Sequence, residues 1–136
     1  GPFMNKNDGR VVPNFINQAL SNKPITVYGD GRQTRSFCYV SDMVDGLEKF
    51  MFSDKARGQV INLGNPTEIT MLELAEIIIE LTESKSNIVF KDIPVDDPTR
   101  RKPDITKAKN LLGWAPKVNI RDGMKTTIMA FSAKGD

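Results

Sequence analysis

The densest run of chemistry-bearing side chains is Thr26 to Val40, TVYGDGRQTRSFCYV. Gly29 and Gly31 permit a tight turn, Tyr28 offers a flat face on which a base can stack, and Arg35 offers a planar donor fork matched to phosphate oxygens. Together these parts suit a nucleoside diphosphate. A hairpin with a core tyrosine and a surface arginine would use the same residues. The run is not a dinucleotide fingerprint, because its G-x-G leads into a second β-rich run and Thr34 holds the place of the third glycine. Arg100-Arg101-Lys102-Pro103-Asp104 is a second candidate. Adjacent guanidinium groups on a proline-stiffened loop can clamp a diphosphate, and a solvated loop is the alternative. Arg10, just before a helix start, is a third anion-binding candidate.

Composition limits what else these residues could do. The 136 residues include no histidine and one cysteine, Cys38. Ser-His and Cys-His nucleophile pairs, His/Cys zinc clusters and C-x-x-C redox motifs are therefore excluded. Cys38 sits in the apolar run Phe37 to Val40 and reads as a small buried hydrophobe suited to a reducing compartment. With 39% hydrophobic and 26% charged residues, the chain has the make-up of one globular domain. From Thr99 to Lys125 eight basic residues face two acids, so this third should attract anions. Only 7% of residues are aromatic and no recognition motif is present, which argues against nucleic acid. No apolar run approaches the roughly 18 residues of a membrane span, and the N-terminus lacks a signal-peptide pattern. The chain opens on Gly1-Pro2, which a protease scar also leaves.

The elements that must position the candidates follow from periodicity. Val12, Phe15, Ile16, Ala19 and Leu20 have helical spacing, with Pro13 in the first turn and Asn22 and Pro24 ending the helix. Two β-rich runs follow, Ile25 to Tyr28 and Ser36 to Val40, and Asp30-Gly31 between them predicts a hairpin. Ser41 can cap a helix whose Val44, Leu47 and Met51 share one face. Gln59 to Leu63 reads as a strand closed by Gly64-Asn65-Pro66. Thr70 and Glu73 form a capping box opening a helix through about Glu83. Its Met71, Leu74, Ala75, Ile78 and Leu81 face inward, and Glu73, Glu76, Glu80 and Glu83 form a solvated face rather than a metal site. Ile88 to Lys91 is a further strand, Pro94 to Pro103 a surface loop, and Asp104 caps a short helix stopping at Gly113. A last helix, Arg121 to Ser132, buries Met124, Ile128 and Phe131. Without strict alternation, α/β and α+β both remain open on pattern alone.

The segments GPFMNKNDGRVVPNFINQAL, ITVYGDGRQTRSFCYVSDMVDGL, VINLGNP, TMLELAEII and DDPTRRKPDITKAKNLLGWAPKV, in this order, resemble the C-terminal part of extended short-chain dehydrogenase/reductase enzymes acting on nucleotide sugars. VYGDG and LGW-x-P occur across that superfamily, epimerases and dehydratases included. TRSFCYVSD together with RKPDI-x-KAK-x-LLGW most resembles the UDP-glucuronate decarboxylase (UDP-xylose synthase) family. The resemblance implies an α/β fold: the substrate-binding part of a Rossmann-type enzyme, with the N-terminal NAD-binding core absent from this chain. It implies a tightly held NAD that oxidises C4 of the glucuronosyl ring, loss of carbon dioxide from the β-keto acid, and reduction of the 4-keto intermediate to UDP-xylose. By position, Tyr28, Gln33 and Arg35 would hold the uridine diphosphate. Arg101 would sit at the diphosphate or the reacting sugar as the one catalytic candidate, and Asn5 and Arg10 near the cofactor. Phe3 departs from the arginine usual in G-P-R-M.

The Tyr-x-x-x-Lys dyad of those enzymes is missing, since the fourth residue after Tyr28 is Arg32 and after Tyr39 is Met43. The expectation is a 1–136 substrate-binding region, inactive alone, in which about 36–65 pack on the missing cofactor domain. The complete enzyme is expected to be a cytoplasmic homodimer binding a UDP-sugar. A free-standing nucleotide-binding module without catalysis, or a 4-epimerase or 4,6-dehydratase, would carry many of the same residues.

Overall fold

The computed structural model describes residues 1–92 and 102–133. Five α-helices, four short strands and one 3-10 turn (Asp54–Ala56, after α2) are described, the helices and strands in the order α1 (Val11–Leu20), β1 (Ile25–Tyr28), β2 (Thr34–Ser36), α2 (Val40–Phe52), β3 (Glu68–Thr70), α3 (Met71–Thr82), β4 (Ile88–Lys91), α4 (Thr106–Leu112) and α5 (Ile120–Ala133). The fold is mixed α/β. β1 pairs in parallel with β4, Ile25 opposite Ile88 through Tyr28 opposite Lys91. β2 pairs antiparallel with β3, Thr34 opposite Thr70.

The core forms where the apolar faces of α1, α3 and α5 close on β1. Phe15 and Ile16 of α1, Ile25 and Val27 of β1, Leu74 and Ile78 of α3, and Ile128 and Phe131 of α5 are all buried. A smaller cluster gathers Ile105, Ala108 and Trp114, with Cys38, Ile61 and Leu63 packed around it. Cys38 is thus half-buried rather than fully buried. The capping box is complete: Thr70 Oγ1 accepts from the Glu73 amide at 3.1 Å, and Glu73 Oε2 accepts from the Thr70 amide at 2.8 Å. Gly113 ends α4 at φ +60°, as its position predicts.

Two expectations are corrected. First, Asp30-Gly31 does not make a hairpin, because β1 and β2 belong to different two-stranded sheets. The turn is pinned instead to the start of α3, where the Leu72 amide donates to the Gly31 carbonyl at 3.1 Å and the Met71 amide to the Gln33 carbonyl at 3.2 Å. β2 consequently ends at Ser36, and α2 starts at Val40 with Tyr39 as its N-cap, so Ser41 lies inside the first turn. Second, Gln59 to Leu63 forms no strand. Ile61 and Leu63 pack on the Trp114 cluster and Val60 is 84% exposed, so the alternation is real, but no strand among the described residues pairs with it. The shared face of Val44, Leu47 and Met51 is present on α2 and points outward, with 56%, 50% and 74% exposure. The loop expected over Pro94 to Pro103 lies almost wholly outside the described residues.

Candidate functional site: a cationic cleft at the end of β1

A cleft of about 1200 Å³ opens beyond the C-terminal ends of β1 and β4, between the start of α1, the β2 segment and the start of α5. Four of the six predicted site residues line it: Arg10, Tyr28, Gln33 and Arg35. Asn5 lies outside the lining, its Oδ1 accepting from the Asn7 amide at 3.0 Å. Arg101 lies outside the described residues.

Each of the four is placed by a local device. Tyr28 ends β1, where strand alternation buries Ile25 and Val27 and turns Tyr28 to the cleft, 46% exposed. The Ile25 amide donates to Asn87 of the neighbouring segment and the Gly29 amide to Lys91. The peptide groups of Thr26 and Tyr28 therefore point to the opposite edge. On that edge Gln18 Oε1 accepts from the Thr26 amide at 3.1 Å, and Gln33 Nε2 donates to the Tyr28 carbonyl at 2.8 Å. Gln33 is thereby locked, and its Oε1 is buried without a hydrogen-bond partner, as is Ser36 Oγ. Buried polar atoms are normally satisfied, so two orphans three positions apart, both on residues lining the cleft, mark a place where a ligand or a neighbouring chain segment completes the bonding. Arg35 is half-buried in β2 and its Nη1 donates to the Thr34 carbonyl at 2.8 Å.

Arg10 precedes α1 and is engaged with Asp8, whose carboxyl is held below the usual aspartate range by the Arg10 side-chain hydrogen bond. The charged side chains lining the cleft are Arg10, Arg35 and Lys91, and no carboxylate lines it among the described residues. That field selects anions. Cys38 also faces the cleft, but burial pushes its thiol up, with the Asp42 carboxylate adding to the effect, so the nucleophilic thiolate is disfavoured.

Sequence reasoning missed Lys91 and Ser36. Lys91 was legible only as the last residue of a strand. The signal that finds it is the β1–β4 pairing, which the sequence does not display. Among the acidic face of α3, Glu73 is consumed by the capping box and Glu80 takes a bidentate bond from Arg121 at 2.8 Å, which holds the Glu80 carboxyl below its usual range.

The sequence profile described as GDP-mannose 4,6 dehydratase matches residues 1–127, and the chain belongs to that family. Within it the sequence is similar to the UDP-glucuronic acid decarboxylases. UDP-glucuronic acid decarboxylase 2 of Arabidopsis thaliana is 53% identical over 131 residues, which is 96% of this chain and 29% of the relative. Among solved structures, an epimerase of Methanothermobacter thermautotrophicus superposes with a TM-score of 0.88 at 38% identity, over 91% of this chain and 37% of the other. UDP-glucuronic acid 4-epimerase of Bacillus cereus, in complex with UDP-glucuronic acid and NAD, superposes with a TM-score of 0.85 at 29% identity, over 92% of this chain and 40% of the other. The chain thus spans less than half the length of the proteins it matches. Among the described residues no helix is long and apolar enough to cross a membrane.

Proposed function

We propose that this chain is the substrate-binding part of an NAD-dependent enzyme that converts UDP-glucuronate to UDP-xylose and carbon dioxide through a 4-keto intermediate. The observation that carries the reading is a cleft whose charged lining is cationic, beside an exposed tyrosine face and next to an arginine placed by a strand. Tyr28 stacks the uracil, and the peptide edge of β1 offers a donor and an acceptor to its rim. Gln33 and Arg35 take the diphosphate, with Gln33 Oε1 gaining the partner it lacks from a hydroxyl of ligand or protein. Arg101 serves the diphosphate or the reacting sugar. The kinship to UDP-glucuronic acid decarboxylases supports decarboxylation. The likeness to epimerases keeps a 4-epimerase, or a 4,6-dehydratase, as the second reading.

The described residues do not form a dinucleotide cradle. The Gly29-Asp30-Gly31 turn leads to β2 rather than to a helix N-terminus, Arg10 is engaged with Asp8, and Asn5 holds its own loop. NAD is therefore assigned mainly to the part of the protein outside this chain, with Asn5 and Arg10 at its border. The same part covers residues 36–65, whose outward apolar side chains on α2 and at Val60 support an interdomain contact. The complete enzyme is a homodimer of the cytoplasm, and the 136-residue chain alone is inactive.

The test has two arms. Protein of the relatives' full length should release carbon dioxide and a UDP-pentose from UDP-glucuronate, whereas a UDP-hexose product would favour the second reading. The 136-residue chain alone should bind UDP by calorimetry, with Arg35→Ala abolishing the heat. Turnover by that chain without a further domain would sink the proposal.

A further inference from the structure

Lys91 closes β4 and stands in register with Tyr28 of β1. Residues paired across neighbouring strands share a face and lie about 4.8 Å apart, so the Lys91 stem rises beside the Tyr28 ring. Both line the cleft, and Lys91 is exposed. The three cations there differ in what already occupies them. Arg10 is tied to Asp8, and Arg35 donates to the Thr34 carbonyl. Lys91 makes no ion pair among the described residues. With no ion-pair partner for Lys91 and no carboxylate in the cleft lining among the described residues, its field is left to whatever anion enters.

We propose that Lys91 is a phosphate contact of this cleft, supplying from β4 a second full charge to the nucleoside diphosphate that Arg35 meets from β2. The inference rests on the nucleotide-sugar reading above. Phosphate rather than base follows from the chemistry of the group. An ammonium is a compact, strongly hydrated point charge that gains most against an ionised oxygen, and its flexible four-carbon stem lets it reach past the ring beside it. An uncharged base edge would return little for the same desolvation. Tyr28 then supplies a surface for the base while its register partner reaches for the phosphates, so one pair of strands reads both ends of the nucleotide.

Calorimetric titration of UDP and of uridine into the chain, at two salt concentrations, tests this with Lys91→Met, Lys91→Arg and Arg35→Ala. Methionine keeps the apolar stem and removes only the charge. Lys91→Met should weaken UDP about fivefold, the range of an exposed ion pair, leave uridine unchanged and make UDP affinity less sensitive to salt. Lys91→Arg should retain most of the affinity. Unchanged UDP binding by Lys91→Met, with Arg35→Ala still weakened, overturns the role of Lys91 and leaves the nucleotide reading standing. Equal losses for UDP and uridine overturn it as well, because the contact would then be to the nucleoside. Failure of the unsubstituted chain to bind UDP removes the nucleotide reading and this inference together.

Discussion

A Cβ placed on Gly46 would meet Trp114 Cε2 at 2.9 Å and Nε1 at 3.0 Å. The ring has little room to retreat, being 1% exposed and donating its indole N–H to the Asp42 carbonyl at 3.0 Å. Gly46→Ala should therefore cost about 2 kcal/mol by overpacking, although alanine is about 1 kcal/mol the better helix former. An unchanged urea midpoint would mean that the indole can move. Glu73 makes a second prediction at this scale. The Thr70 amide, and after it the Thr70 hydroxyl, hold its carboxyl below the usual glutamate range. A depressed folded value stabilises the fold above the ordinary glutamate range, and that contribution is lost as pH falls through the folded value. The stability gap between the natural chain and Glu73→Gln should thus be present at neutral pH and close in acid. Thr70→Ala should cost about 1 kcal/mol at neutral pH. These residues were legible in the sequence because a capping box is complete within four positions. Tyr28 and Arg35 were legible by type, whereas Lys91 acquires its place only by pairing with Tyr28, 63 positions earlier in the chain.

At the scale of elements, most helices were readable and the strand pairings were not. The spacing of Val12, Phe15, Ile16 and Ala19 fixes α1, and that of Met124, Ile128 and Phe131 fixes α5, because a buried helical stripe is written into one segment. Asp30-Gly31 misled because a turn signal says that the chain reverses without saying which strands it joins. Here β1 takes β4 and β2 takes β3, a three-residue strand hidden against a capping box. Nor could the sequence announce what ties α2 to the cleft wall. Asp42, 6% exposed, accepts from the Lys117 amide at 3.0 Å and the Val118 amide at 2.9 Å. Val118, Asn119 and Ile120 then line the cleft. Asp42→Ala leaves two amides without their acceptor and should cost about 3 kcal/mol, with Asp42→Asn intermediate because its one carbonyl oxygen still accepts. Urea denaturation of the three proteins orders them; an alanine variant as stable as the natural chain would show that water replaces the carboxylate without loss.

For the molecule as a whole, the outward face of α2 decides how the chain behaves in solution. Leu47 and Met51 stand half to three-quarters exposed, and Phe52 is 79% exposed at the end of the same helix. A contiguous apolar face of this kind is unusual on a monomer and marks a surface that something covers. The chain spans 29% of the length of its decarboxylase relative, and on the proposed reading the part of the protein outside the chain is the cover, so the chain alone should associate with itself in proportion to its concentration. Leu47→Glu combined with Met51→Lys breaks the patch and adds a favourable charge pair one turn apart, so the double variant of the chain should sediment as a monomer with its thermal stability kept. In protein of the relatives' full length the same pair would bury two charges in an interdomain contact and should lower stability by several kcal/mol. The contrast separates the two origins of an exposed face. If the face were merely tolerated surface, the substitutions would be silent in both contexts. A face closed only by a second copy of this chain would release the self-association and leave the longer protein's stability unchanged. Loss of stability confined to the longer protein is the outcome that the proposed interdomain contact requires.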